Sequence, residues 1–370
     1  MHKNSLKHRQ YRFSMSAVLT ICLLLFFCLP LVACDMGVGD DGKATSSTDD
    51  LTGRVDEQTI VLGFSQLGSE SAWRVGSTVS IQQAAESAGI QLMFENAQQK
   101  QENQIKAIRS FIAYQVDVIA FSPIVEDGWD NVLLEAKAAG IPVLLVDRYI
   151  NTHDESLFAG LVGSDFVEEG RRAGRFLVDY YNGKYGEVKL AADNKVRIVE
   201  LTGTVGSSPM RGRESGFREI IGDDERFEVI TSESGDFLRS LGEEKMREII
   251  ERLRQEASVA GDTEKARIDV LYSHNDAMTL GAIDALEEAG LNPGEDVVII
   301  SVDGEQEAID RLKDGEINCV VECTPMIGDL VMELVDKLAA GETIPRFNFN
   351  EETVFTRYDA NLSELPPRGY

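Results

Sequence analysis

The chain has 370 residues, enough for two domains with ordinary cores. With 43% hydrophobic and 27% charged residues, it has the composition of a folded globular protein rather than of a disordered chain. Its formal net charge of −27 would repel phosphate backbones, which argues against nucleic acid as a partner.

Lys3, Lys7, Arg9 and Arg12 precede an apolar run from Ala17 to Leu29, closed by Leu31-Val32-Ala33-Cys34. Residues 1–33 read as a signal peptide, since the run is shorter than the ~20 residues of a stable membrane span. The Leu-x-Ala-Cys ending is that of a lipoprotein signal, with cleavage before Cys34 and lipid on its sulfur. An ordinary signal or anchor with a chance cysteine is the alternative. Residues 34–56, rich in Gly, Ser, Thr and Asp, have little to bury and read as a flexible tether reaching roughly 25 Å.

Cys319 and Cys323 remain in a chain that looks exported. In a strand they would lie about 13 Å apart, beyond disulfide reach, and are expected to be buried free thiols. No Cys-x-x-Cys or His pairing accompanies them, so no metal site is suggested.

From Ile60 short apolar runs alternate with amphipathic ones, the pattern of βαβ units. The expected strands are Ile60–Phe64, Ile90–Phe94, Val116–Phe121, Pro142–Val146 and Phe158–Val162. A second series follows: Val196–Leu201, Phe227–Ser232, Ile268–Tyr272, Val297–Ser301 and Ile317–Val321. Between the strands lie helical patterns, such as Ile105, Ile108 and Ile112, with the first beginning near Val75. The segments 182–195 and 255–267 read as polar surface excursions. A helix over about 327–339 precedes an irregular tail. The two similar series predict two α/β lobes with parallel sheets.

Enzyme signatures are missing from the sequence: no Gly-x-Gly-x-x-Gly after the first strand, no Gly-Lys-Ser/Thr loop and no Gly-x-Ser-x-Gly elbow. His153 and His274 lack partners at metal-ligand spacing. What stands out are polar and aromatic residues where strands end, the ligand-binding edge of an open α/β sheet. In the first series these are Ser69, Glu70, Trp73, Arg74, Ser122, Asp147 and Arg148. In the second they are Arg213, Phe237, Asn275, Asp303 and Glu322. Each alone has a plainer explanation: Asp276 beside Asn275 as a helix cap, Arg148 as a surface charge, Trp73 as core. Together, carboxylates, Asn and Arg suit neighbouring sugar hydroxyls, while Trp and Phe offer flat faces to sugar C–H groups.

The motifs Gly63-Phe64-Ser65-Gln66-Leu67-Gly68-Ser69-Glu70-Ser71-Ala72-Trp73-Arg74, Gln98–Ile105, Val146-Asp147-Arg148, Glu200–Gly206, Ser234-Gly235-Asp236-Phe237, His274-Asn275-Asp276 and Val302-Asp303-Gly304 resemble periplasmic sugar-binding proteins of the ribose/galactose type. The first two resemble the galactofuranose-binding branch. The resemblance implies a type I periplasmic binding protein: an N-terminal lobe of 57–163 plus 323–353 and a C-terminal lobe of 164–322 plus 354–370, joined by a three-strand hinge. It implies a monomer that takes a monosaccharide, a galactofuranose-like furanose first, needs no cofactor, and delivers it to ABC permease and ATPase subunits. Asp147, Arg148, Arg213, Asn275 and Asp303 would bond the sugar hydroxyls. Trp73 and Phe237 would cover its faces, with Glu70 and Arg74 adding branch-specific contacts and Glu322 standing on the hinge side. Cysteines of the galactofuranose-binding branch are replaced here by Val196 and Asp269. Two other readings are a sensor lobe for a chemoreceptor or kinase, which neighbouring genes would separate, and a sugar hydrolase using Glu70 or Glu322.

Overall fold

The computed structural model describes residues 59–188 and 190–370. The readings of a signal peptide, of Cys34 and of the tether lie outside the described residues.

Among the described residues the chain builds two six-stranded sheets. The first contains β1 (Val61–Gln66), β2 (Gln91–Asn96), β3 (Val118–Phe121), β4 (Val143–Val146), β5 (Gly160–Gly163) and β11 (Phe347–Phe349), in the order β11-β5-β4-β3-β1-β2. The second contains β6 (Val196–Thr202), β7 (Phe227–Ser234), β8 (Val270–Ser273), β9 (Val298–Asp303), β10 (Cys319–Glu322) and β12 (Val354–Thr356), in the order β12-β10-β9-β8-β6-β7. Every pairing is parallel except that of β10 with β12. The chain thus crosses between sheets three times: after β5, after β10 and after β11.

Strands buried on both faces explain the unbroken apolar runs. In β3, Ile119 and Phe121 point into one core cluster with Phe111 and Leu133. Val118 and Ala120 point into another with Ile81 and Val335. In β8, Leu271 joins Ile249 and Ile283 on one face, while Val270 and Tyr272 join Phe217 and Leu177 on the other. Each such Leu, Ile or Phe contributes about 1.5–3 kcal/mol by leaving water. Helices α1 (Ala72–Ser87), α2 (Gln101–Tyr114), α3 (Asp130–Ala138) and α9 (Gly328–Ala339) flank the first sheet. Helices α4 (Phe166–Tyr181), α5 (Ser208–Ile221), α6 (Arg239–Ala260), α7 (Asp276–Glu288) and α8 (Gln306–Asp314) flank the second.

Three expectations are corrected. Helix α1 starts at Ala72 and not near Val75, because the Ser71 side chain accepts the Arg74 N–H and caps it. Residues 255–260 are not an excursion but the last turns of α6, where Leu253 and Ala257 keep the apolar stripe on the core. The tail is not wholly irregular, since β11 and β12 lie in it. Each has only three residues at a sheet edge, too few to show an alternating pattern.

Candidate functional site

In both sheets the strand order reverses beside the first strand of the series, between β1 and β3 and between β6 and β8. That reversal opens a crevice at the carboxyl ends, where open α/β sheets bind ligands. The two crevices face each other across one narrow cavity of about 30 Å³, lined by Glu70, Trp73, Arg74, Asp147, Arg148 and Phe166 with Arg213, Phe237, Asn275, Asp303, Ser71, Pro209 and Cys323.

On the first lobe, the β1–α1 turn puts Glu70 and Arg74 one helical turn apart, with Nε 3.0 Å from Glu70 Oε1. Arg74 Nη1 then lies 2.8 Å from Asp147 Oδ2 and donates to Ser122 Oγ at 3.3 Å. Ser122 in turn donates to Asp147 at 3.2 Å. Asp147 follows β4 with φ of 67°, a left-handed conformation that costs an Asp about 1–3 kcal/mol and is held by its N–H to Val162 O. Arg148 donates Nη1 to Ile124 O at 3.1 Å and lies over the Phe237 ring. Burial, with repulsion from Arg74, brings its pKa down to about 10, so it stays charged at neutral pH.

On the second lobe, Arg213 rises from α5. It donates Nε to Glu169 Oε2 at 2.7 Å and Nη1 to His274 O, and its Nη2 lies 3.6 Å from Asp303 Oδ1. Asn275 caps α7 through Oδ1 and reaches Phe237 O with Nδ2. Phe237 has φ of 62° and Asp303 φ of 126°. Phe237 needs Gly203 beneath it: a Cβ there would fall 1.8 Å from the ring's Cζ. The strand-end aspartates of both series, Asp147 and Asp303, therefore share a strained backbone as well as a position.

The lobes meet around this cavity. Trp73 N–H donates to Glu305 Oε1 at 2.8 Å, Glu126 N–H to Gly206 O at 3.0 Å, and Tyr149 N–H to Ser208 Oγ at 2.9 Å. The Trp73 indole N–H donates to Cys323 O at 2.6 Å, at the second crossing. This is a shut cleft.

Nine of the residues singled out in the sequence line the cavity: Glu70, Trp73, Arg74, Asp147, Arg148, Arg213, Phe237, Asn275 and Asp303. Ser122 stands behind Asp147 and Arg74. Ser69 is exposed outside the cavity. Glu322 is turned to Arg368 and to Thr353 N–H. Sequence reasoning missed Ser71, Phe166, Pro209 and Cys323. The start of α4 just past β5, and Pro209 in the first turn of α5, repeat the strand-end signal and would have marked two of them.

Each of the three crossings contributes to one buried polar group beside the cavity. Ser164 Oγ lies 3.4 Å from Cys323 Sγ and donates to Glu352. Glu169, Cys323 and Glu352 bring one ligand-capable atom each within 4.8 Å of one another. Glu169 is bonded to Arg213 through Oε2, and burial, with the Glu169 and Glu352 carboxylates nearby, pushes the Cys323 thiol well up. Cys319 and Cys323 are both buried free thiols.

Two lobes of this topology with a shared polar cavity define a type I periplasmic binding protein. The periplasmic binding protein domain model matches residues 62–343, and the chain belongs to that family. It is 42% identical to the galactofuranose-binding protein YtfQ of Escherichia coli over 286 residues, covering 77% of this chain and 84% of that one. A Mycobacterium smegmatis structure in complex with beta-D-fucofuranose is 42% identical, with a TM-score of 0.75 over 83% of this chain and 93% of the other. The periplasmic binding component of an arabinose ABC transporter from Shewanella sp. ANA-3, bound to alpha- and beta-L-arabinofuranose, is 38% identical, with a TM-score of 0.73 over 82% and 93%. These relatives are substrate-binding proteins, and this chain is a binding protein rather than an enzyme.

Proposed function

We propose that this chain is the extracytoplasmic sugar-binding component of an ABC importer, closing its lobes on a monosaccharide furanose of the galactofuranose kind. One observation carries the reading. The cavity sets Trp73 and Phe237 among buried charges whose Glu70 Oε2 and Arg148 Nε have no hydrogen-bond partner among the described residues. Buried polar atoms are seldom left so, and sugar hydroxyls satisfy both a carboxylate acceptor and a guanidinium donor. The furanose ligands of the relatives at 38% and 42% identity support the ring form. The lobes, 57–163 with 323–353 and 164–322 with 354–370, would hinge at the three crossings, binding energy being supplied only in the shut form.

Calorimetric titration of the purified protein with D-galactose, D-fucose and L-arabinose, all of which include furanose forms in solution, should give saturable binding to at least one. Binding to none of a wider panel of pentoses and hexoses would overturn the reading. Binding only of sugars locked as methyl pyranosides would keep the class and reject the furanose.

Tethering belongs to the same proposal. The basic flank, the apolar run and Leu31-Val32-Ala33-Cys34 support cleavage before Cys34 and lipidation of its sulfur, which would hold the protein, as a monomer, on the outer face of the cytoplasmic membrane beside the permease. Labelled palmitate should enter the wild-type chain and not Cys34→Ala; equal labelling of both would exclude the anchor.

A further inference from the structure

The segment that follows β12 does more than return to the second lobe. Leu362 and Leu365 seat it on that lobe's core, and Pro366-Pro367 stiffen what comes next. Arg368 Nε donates to Gly304 O at 3.0 Å, and its Nη2 bonds Glu322 at the end of β10. Tyr370 O accepts the Gln306 N–H at 2.8 Å, in the first turn of α8. The Tyr370 side chain lies against Gly76 of α1, in the opposite lobe, where a Cβ would come within 2.9 Å of Tyr370 Cβ.

Arg368 and Tyr370 thereby hold both ends of one loop, at Gly304 and at Gln306 just after it. Asp303-Gly304-Glu305 puts Asp303 into the cavity and Glu305 on the Trp73 N–H of the other lobe. Two consecutive residues of it, Asp303 and Gly304, have positive φ of 126° and 94°. Such a backbone persists only when its surroundings fix it. From one side the Asp276 carboxylate accepts the Gly304 and Glu305 N–H groups at 2.6 and 2.7 Å. From the other, Arg368 holds the Gly304 carbonyl. Glu322, which the sequence suggested for the ligand, is instead the anchor of that arginine.

We propose that Arg368 and Tyr370 are positioning residues for the ligand site, a strap that holds the 303–305 loop in its binding shape and ties it across the cleft to α1. The proposal rests on the sugar-binding reading above. A charge-assisted bond to a strained loop is worth enough that Arg368→Ala should weaken sugar binding about tenfold. The loss should fall mainly on the dissociation rate, because the strap touches both lobes only in the shut form. Arg368→Lys should recover part of it. Gly76→Ala gives an independent approach from the other lobe. It favours the α1 helix, so a stability effect alone would not weaken binding, whereas displacement of Tyr370 would.

The experiment is stopped-flow tryptophan fluorescence of the purified protein and these variants with D-galactose, D-fucose and L-arabinose, together with hydrogen exchange of the sugar-free proteins. Exchange at the Gly304 and Glu305 amides should rise in Arg368→Ala and fall back in Arg368→Lys. Dissociation rates within twofold of wild type in Arg368→Ala and Gly76→Ala would overturn the proposal. So would unchanged exchange at those two amides. If the wild type binds no sugar, the sugar reading fails by itself, and the exchange data still decide whether the strap holds the loop.

Discussion

Trp73→Ala is expected to weaken sugar binding by about 2–4 kcal/mol, roughly 30- to 1000-fold. The indole is 5% exposed, lines the cavity, and gives its N–H to Cys323 O at the second crossing. It sits on a first-lobe helix yet packs among second-lobe core residues such as Phe166. Its contacts are therefore those of the shut form, and its loss should fall on closure more than on either lobe's folding. Calorimetry and melting without sugar separate the two. A large fall in melting temperature with affinity intact would make the indole core and nothing more.

The second large effect is a stability that falls as pH rises from about 5 to about 8. Burial, together with the Glu169 carboxylate facing it, raises the Glu352 pKa to about 8, against about 4.5 in the unfolded chain. Between those values the folded protein holds a proton that the unfolded chain has released, so raising the pH favours unfolding. The contribution is fully present below about pH 4.5 and gone above about 8, at up to about 1.4 kcal/mol for each pH unit between. Asp276, raised to about 7 by burial beside Glu305, adds a loss of the same sign. Glu352→Gln isolates the first group. Its melting curve should match wild type near pH 5 and lie above it near pH 8. Parallel curves throughout would mean that Glu352 is ionised in the fold.

Apolar runs and their spacing were enough to place the ten main strands and the two-lobe plan, because a strand buried on both faces has no room for polar residues. Strand ends also marked most of the cavity, since an α/β sheet puts its ligand edge there whatever the ligand. The motif Gly63–Arg74 pointed to the right family through residues that line the cavity: Glu70, Ser71, Trp73 and Arg74.

Sequence reasoning did not reach the edges and the partnerships. Strands β11 and β12 owe their existence to β5 and β10 beside them, a pairing between residues nearly 190 apart for β11 that no local pattern encodes. Ser69 and Ser71 are alike in composition and context, yet Ser71 caps α1 and lines the cavity while Ser69 faces solvent; helix capping, a property of backbone direction, separates them. Glu322 looked like a ligand group until the fold brought Arg368 to it from 46 residues away. What the sequence determined by itself was which residues are apolar, at which period, and hence which segments form strands, helices and the edge where a ligand sits. Only the tertiary structure decided which charge meets which, because ion pairs and hydrogen bonds depend on distances of a few ångströms between segments that the chain order keeps apart.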